Sequence, residues 1–158
     1  MVPKPLALPI YRVSLVREGT LKYEQNVRDS KCVARLLWEY LADTDREHFV
    51  VVLVDQKNRL IGINTVSVGS MTASVVHPRE VFKPSFLCNA AAIILGHNHP
   101  SGDPQPSRED RAITTRLVTA GKLLGVEVID HVIIGSEGRY FSFADEGLLN
   151  SSTGEWGG

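Results

Sequence analysis

A chain of 158 residues with 43% hydrophobic and 22% charged residues can close one core without staples, and a formal net charge of -1 lacks the Lys and Arg excess needed for binding along a phosphate backbone. No apolar run approaches the roughly 20 residues that span a bilayer. The N-terminal MVPKPLALPIY holds three Pro before residue 10 in place of the continuous apolar stretch of a secretory signal, so a cytoplasmic protein with no membrane partner is expected. Cys32 and Cys88 form no CxxC pair and read as small buried hydrophobes.

In chain order, YRVSLVRE (11–18) alternates and suggests an edge strand within an N-terminal segment of residues 1–28. Asp29 or Ser30 can cap a helix that gathers Val33, Leu36, Leu37, Tyr40 and Leu41 on one face. EHFVVVLVD (47–55) is a β-branched run too short and too continuous for a surface helix, and reads as a central strand. Across the polar turn 56–59, RLIGINTVSVG is the partner strand of a hairpin. Pro78 suits the first turn of a helix that Pro84 should shorten or kink.

AAAIILGH (90–97) is a second buried strand, and it delivers its C-terminal end to the histidines. Ser107 can cap a helix with Asp110, Ile113, Leu117, Ala120 and Leu124 on one face, ended by Gly125. VEVIDHVIIG is a further strand, RYFSF a short one, and 144–149 a short closing helix, with 151–158 a flexible Gly-rich tail. Its WGG end is similar to the diglycine termini of ubiquitin-like modifiers, but a tail of this composition needs no function. Residues 29–150 therefore make one α/β layered domain, a mixed sheet flanked by helices.

The chemistry concentrates in HNHPSGDPQPSRED. Side chains at i and i+2 of an extended segment point to the same side, so His97 and His99 can converge on one ion while Asn98 points away. Gly96 permits close backbone approach and Pro100 limits the loop. Asp110 falls in the first turn of the following helix, where the dipole and unpaired amides favour an ionised carboxylate. Ser107-Arg-Glu-Asp110 also fits a helix cap. With two histidines upstream the balance shifts to a metal ligand, and three protein ligands leave a fourth position open, as in catalytic zinc sites. Ser107 can be a cap or an oxyanion donor.

Water activated by a metal needs a group to move its proton. Glu47, opening a buried strand, is the better candidate, and Glu80 the competitor with a ready structural role in its helix. Asp130 and His131, inside an apolar strand, fit groups that support the ligands from behind. His48 and His77 have no partner at ligand spacing and read as structural. HExxH, GxSxG, GxxxxGK[ST] and the paired motifs of zinc deaminases are missing, which disfavours several other hydrolase and nucleotide-binding classes.

A Glu at a strand start, then HxHP, then an SxxD helix start resembles the metal signature of the JAMM (MPN+/JAB) metalloproteases. HNHPSGDPQPSRED, with HPREVF upstream and DHVIIG and YFSF downstream, is similar to the bacterial RadC-like branch. The resemblance spans about Glu47 to Leu149. It implies a JAMM/MPN fold similar in outline to cytidine deaminases, one Zn2+ on His97, His99 and Asp110, Glu47 as general acid/base and Ser107 at the oxyanion. Deubiquitinases of the superfamily usually carry Ser or Thr where this chain has Asn98, so their substrate preference does not carry over. The 46 residues before Glu47 are too few for the helix-hairpin-helix module of many RadC-like proteins, and that module is expected to be absent.

The expected function is a zinc-dependent metallopeptidase or isopeptidase acting on a peptide or protein-conjugate substrate. The rivals are a RadC-type DNA repair factor or metal-dependent nuclease, against which the scattered basic residues speak, and a non-catalytic scaffold. Strand edges leave a homo-oligomer open without identifying which edge would pair.

Overall fold

The computed structural model describes residues 1–23, 26–42, 44–71 and 75–149. Its elements are α1 (Ser30–Tyr40), β1 (His48–Val54), β2 (Leu60–Val68), α2 (Pro78–Leu87), β3 (Ala92–Asn98), α3 (Arg108–Leu124), β4 (Glu127–Ile134) and β5 (Tyr140–Ser142). One mixed sheet runs β2-β1-β3-β4-β5, with β3 and β4 parallel and every other pair antiparallel. The parallel pair is joined through α3, and the hairpin β1–β2 flanks it.

Strand alternation divides the core into two layers. Phe49, Val51 and Leu53 of β1 and Ile93 and Leu95 of β3 pack with Val81 and Phe82 of α2 and Ile113 and Leu117 of α3. Val50, Val52 and Val54 pack with Ile94, Val132 and Ile134 against Val33, Leu36 and Leu37 of α1 on the opposite face. Burying an aliphatic side chain of this size contributes about 1.5–3 kcal/mol, and β1 and β3 do so on both faces, which is why their sequences are continuous apolar runs. At Gly96 a β-carbon would lie 2.7 Å from the Leu37 side chain, so the glycine before the histidines is what lets α1 settle on the sheet.

Several boundaries differ from the sequence expectation. Residues 11–18 join no strand; Tyr11 is 82% exposed, and the only pairing of the N-terminal segment among the described residues is the isolated bridge Asn26–Arg59. Alternation supplies a strand pattern but not a neighbour to satisfy the ladder. Pro84 does not shorten α2, which runs on to Leu87. The backbone bond that Pro84 forfeits is to Glu80, an exposed residue, where water can replace it.

Residues 144–149 make hydrogen-bonded turns in place of a helix, because left-handed Gly147 (φ 68°) lets the Leu148 N–H reach back to the Phe143 carbonyl at 2.8 Å. The expected tail, 151–158, lies outside the described residues. No helix among the described residues is long and apolar enough to cross a membrane.

On α3 the inward face is Asp110, Ile113, Thr114, Leu117 and Gly121, and Leu124 is 45% exposed instead of buried. At Gly121 a β-carbon would lie 2.5 Å from the Val126 carbonyl oxygen, at the chain's entry into β4. Gly121→Ala therefore sets a helix-propensity gain of about 1 kcal/mol against an overpacking cost of about 1–3 kcal/mol on a backbone atom that cannot swing away. The clash is expected to prevail, lowering the unfolding free energy in a denaturant titration; a stabilised variant would contradict this packing.

Candidate metal centre

The site lies at the junction of β3 with α3. His97 points to the same face as Ile93 and Leu95, fully buried with its ring stacked on Phe49 at 5.9 Å between centroids. His99 stands one residue beyond β3, where its N–H donates to the Ile134 carbonyl at 3.0 Å. The loop that follows is tied down at Gly102: its carbonyl accepts from the Ser136 N–H at 2.9 Å and from the Arg139 guanidinium at 3.0 Å. From there the chain enters α3, whose first turn brings Asp110 back to the histidines.

Ligand atoms of three residues converge. His97 Nε2 and His99 Nε2 are 2.9 Å apart, His97 Nε2 lies 3.2 Å from Asp110 Oδ1, and His99 Nε2 lies 3.2 Å from Asp110 Oδ2. A four-coordinate ion bound at about 2.0–2.1 Å needs ligand-to-ligand edges of about 3.3 Å, and with one atom taken from each residue the three lie within 4.8 Å of one another, so they could hold an ion after small adjustments.

The surrounding hydrogen bonds determine where the ring protons sit. The Thr114 hydroxyl donates to the Asp110 carbonyl at 2.6 Å, so toward His131 Nδ1, also at 2.6 Å, it can only accept. His131 therefore carries its proton on Nδ1 and turns the Nε2 lone pair to His97 Nδ1, 2.9 Å away, which donates. Burial pushes the His131 pKa well below its ordinary value, so the ring is neutral, as the chain of bonds requires. His99 Nδ1 likewise donates to the Asp103 carbonyl at 2.7 Å. With both Nδ1 atoms committed as donors, each ring in its neutral form turns an Nε2 lone pair toward the other and toward a carboxylate. Three acceptors facing one point are a socket for a cation.

Asp110 is both cap and candidate ligand. The Ser107 N–H donates to Asp110 Oδ2 at 2.7 Å, and the Asp110 N–H donates to the Ser107 hydroxyl at 3.0 Å. Burial pushes the Asp110 carboxyl up, but hydrogen bonds from His97 and His99 when their Nε2 atoms carry protons, the charge of His97 in that form and the Ser107 amide outweigh it and hold the group well below the ordinary carboxylate range. His99 is raised, mainly by its hydrogen bond to Asp110 against the cost of burial, with the Asp103 carbonyl and the charges of Asp110 and Glu47 adding to the rise.

The other candidates are distributed unevenly. Glu47 immediately precedes β1 and is half-buried. The β1–β3 register ends at Phe49↔His97, and carried two residues further it sets Glu47 opposite His99, on the same face of the sheet. Glu80 is instead salt-bridged to Lys83 at 2.7 Å on the exposed side of α2. His131 lies directly behind His97. Asp130, expected beside it as support, faces elsewhere: its carboxylate accepts from Ser142 Oγ at 2.7 Å, the Ala144 N–H at 2.9 Å and the His131 N–H at 2.7 Å, tying β4 to the end of β5. Neighbouring strand residues point to opposite faces, so the pair could not both support the ligands.

His77 caps α2, accepting the Arg79 N–H, and His48 bonds the Arg46 carbonyl. Thr114 escaped the sequence reading; a hydroxyl four residues after Asp110 on an inward helix face was the available signal. Asn98 also does more than point away. Its amide bonds to the segment that carries Glu47.

Fold and site together define an α/β domain with a His-His-Asp cluster that could hold a metal ion at a strand-to-helix junction, and with an acidic residue at the start of the adjacent antiparallel strand. The chain belongs to the RadC-like JAB domain family, which matches residues 27–148. It is similar to a UPF0758 protein of Rubrobacter xylanophilus, 55% identical over 114 residues, 72% of this chain and 49% of that one. Similar relatives are UPF0758 proteins of Moorella thermoacetica (53% identical; 78% of this chain, 53% of the relative) and Methanosarcina barkeri (47%; 80% and 55%). The chain spans about half the length of the curated relatives it matches.

Thr114→Val removes the acceptor that fixes His131 and, through it, His97. Divalent-metal affinity, read by competition with a chromophoric chelator, is expected to fall about 10–100-fold with the three ligands unchanged. Acid should also release the metal. Because the His99 pKa is raised, its proton begins to compete as pH falls through values above the ordinary imidazole figure of about 6.5, while Asp110 stays ionised. Affinity that stays flat between about pH 8 and about pH 5 would contradict the assignment of both Nε2 atoms as ligands.

Proposed function

We propose that the chain is a zinc-dependent hydrolase of peptide or isopeptide bonds. The observation that carries this reading is the convergence of two imidazole lone pairs and an ionised carboxylate, with Glu47 across from His99. Two imidazoles and one carboxylate are a donor set suited to zinc, and three protein ligands keep one position open, as catalytic rather than structural sites do. A cation held by His97, His99 and Asp110 supplies Lewis-acid polarisation of a carbonyl and acidifies water.

The remaining steps belong to the protein. Glu47 is half-buried at the mouth of the site, where a carboxylate can take a proton from attacking water and return it to the leaving amine. Ser107 is exposed, and its oxygen already accepts the Asp110 N–H, so the hydroxyl proton is the part of the group available to a developing oxyanion. His131 and Thr114 keep His97 in one tautomer, and the Asp103 carbonyl does the same for His99.

Metal analysis of the purified chain, with quenched-peptide, isopeptide-linked and DNA substrates on the same preparation, tests the reading. One zinc per chain and chelator-sensitive amide cleavage are expected. Glu47→Gln should retain zinc and lose about 10²–10⁴-fold in kcat. Metal-loaded protein that cleaves no amide would overturn the proposal, in favour of a nuclease if it nicks DNA and of a scaffold if it does not.

A further inference from the structure

Asn98 sits between the two histidines, and its side chain leaves the opposite face of β3. It is only 8% exposed. There it enters the segment between α1 and β1: Oδ1 accepts the His48 N–H at 2.7 Å, while Nδ2 donates to the Arg46 carbonyl at 2.9 Å and to Thr44 Oγ1 at 3.2 Å. The Thr44 hydroxyl in turn donates to the Leu41 carbonyl at 2.9 Å, at the end of α1. Arg46 and His48 are the two neighbours of Glu47. A single primary amide thus holds the carbonyl before Glu47 and the N–H after it, as a neighbouring strand would.

The carbonyl of Glu47 itself accepts the Gly69 N–H at 2.8 Å, from the end of β2. Its backbone is therefore fixed at three successive points, two of them by the residue that separates His97 from His99. Backbone pairing between β1 and β3 ends at Phe49↔His97. Without the amide, Glu47 would hang two residues beyond the last ladder contact with β3.

We propose that Asn98 is a positioning residue, setting the backbone of Glu47 relative to His97 and His99 so that the proton-transfer carboxylate and the metal ligands move as one unit. The role of Glu47 rests on the hydrolase reading above; its placement by Asn98 can be tested separately. Asparagine suits the task because it alone among short side chains offers an acceptor and two donors in one plane. Asn98→Asp keeps the acceptor for His48 but sets a carboxylate oxygen against the Arg46 carbonyl, and Asn98→Ala removes all three bonds.

The test uses the whole chain labelled with 13C-glutamate, the Glu47 carboxyl signal being assigned with Glu47→Gln. Zinc alone is the titrant. In wild type, zinc binding is expected to shift the Glu47 carboxyl resonance. In Asn98→Ala the same zinc stoichiometry should be reached while that response falls by more than about half, and kcat on any amide substrate found should fall about 10²-fold with KM within about threefold, the pattern of a displaced group. Asn98→Asp should lie between the two, and it stands in if Asn98→Ala does not fold. A wild-type Glu47 response in the variants would overturn the proposal, as would a kcat loss explained by equal loss of zinc. If wild type cleaves no amide, the hydrolase reading fails alone, since the resonance still reports whether Asn98 places Glu47.

Discussion

The arrangement turns on keeping Asp110 ionised inside the protein. A buried carboxylate would ordinarily take up a proton, and as a neutral acid it could neither bind a cation nor orient the imidazoles. The fold answers by starting α3 at Ser107. The helix N-terminus then supplies the Ser107 amide, while His97 and His99 supply the other contacts. The contact that caps the helix is also one that holds the carboxylate in its charged form, so helix start and metal socket are one structure seen from two sides.

Around that point the sheet topology does the assembling. In the parallel β3–α3–β4 unit, the C-terminal end of β3 and the N-terminus of α3 meet, the position where α/β sheets commonly bind ligands. β1 runs antiparallel to β3, so the start of β1 arrives at the same end. β4 lies on the other side of β3 and carries His131 to the back of His97. The ring of His131 is itself stacked on Phe143 at 4.9 Å between centroids and fully buried, which limits the rotation of every group in the chain from Thr114 to His97.

Much of this was legible locally. The continuous apolar runs of β1 and β3, the Asp29 and Ser107 caps, the Gly125 stop and the spacing of His97, His99 and Asp110 are each written within a dozen or so residues. The failures share a cause. Residues 11–18 alternate like a strand, but pairing depends on a neighbour that no local pattern supplies. Leu124 fits the helical spacing but is 45% exposed, and the close approach of α3 to the start of β4 is made at Gly121 instead. Asp130 and His131 looked like a pair, although one residue of register sends them to opposite faces.

The sequence by itself determined the identity of the candidate ligands, the elements that carry them and the ionisation that a helix start favours, because these depend on contacts a few residues apart. Only the tertiary structure decided that Asp110 caps α3 while its carboxylate meets both histidines, that His131 and Thr114 set the tautomer of His97, and that Asn98 holds the flanks of Glu47. Those contacts join residues 34 positions apart for His97 and His131 and 50 apart for Asn98 and His48. Such separations are closed by sheet register and core packing, and hydrogen-bond direction follows only after the backbone has been brought together.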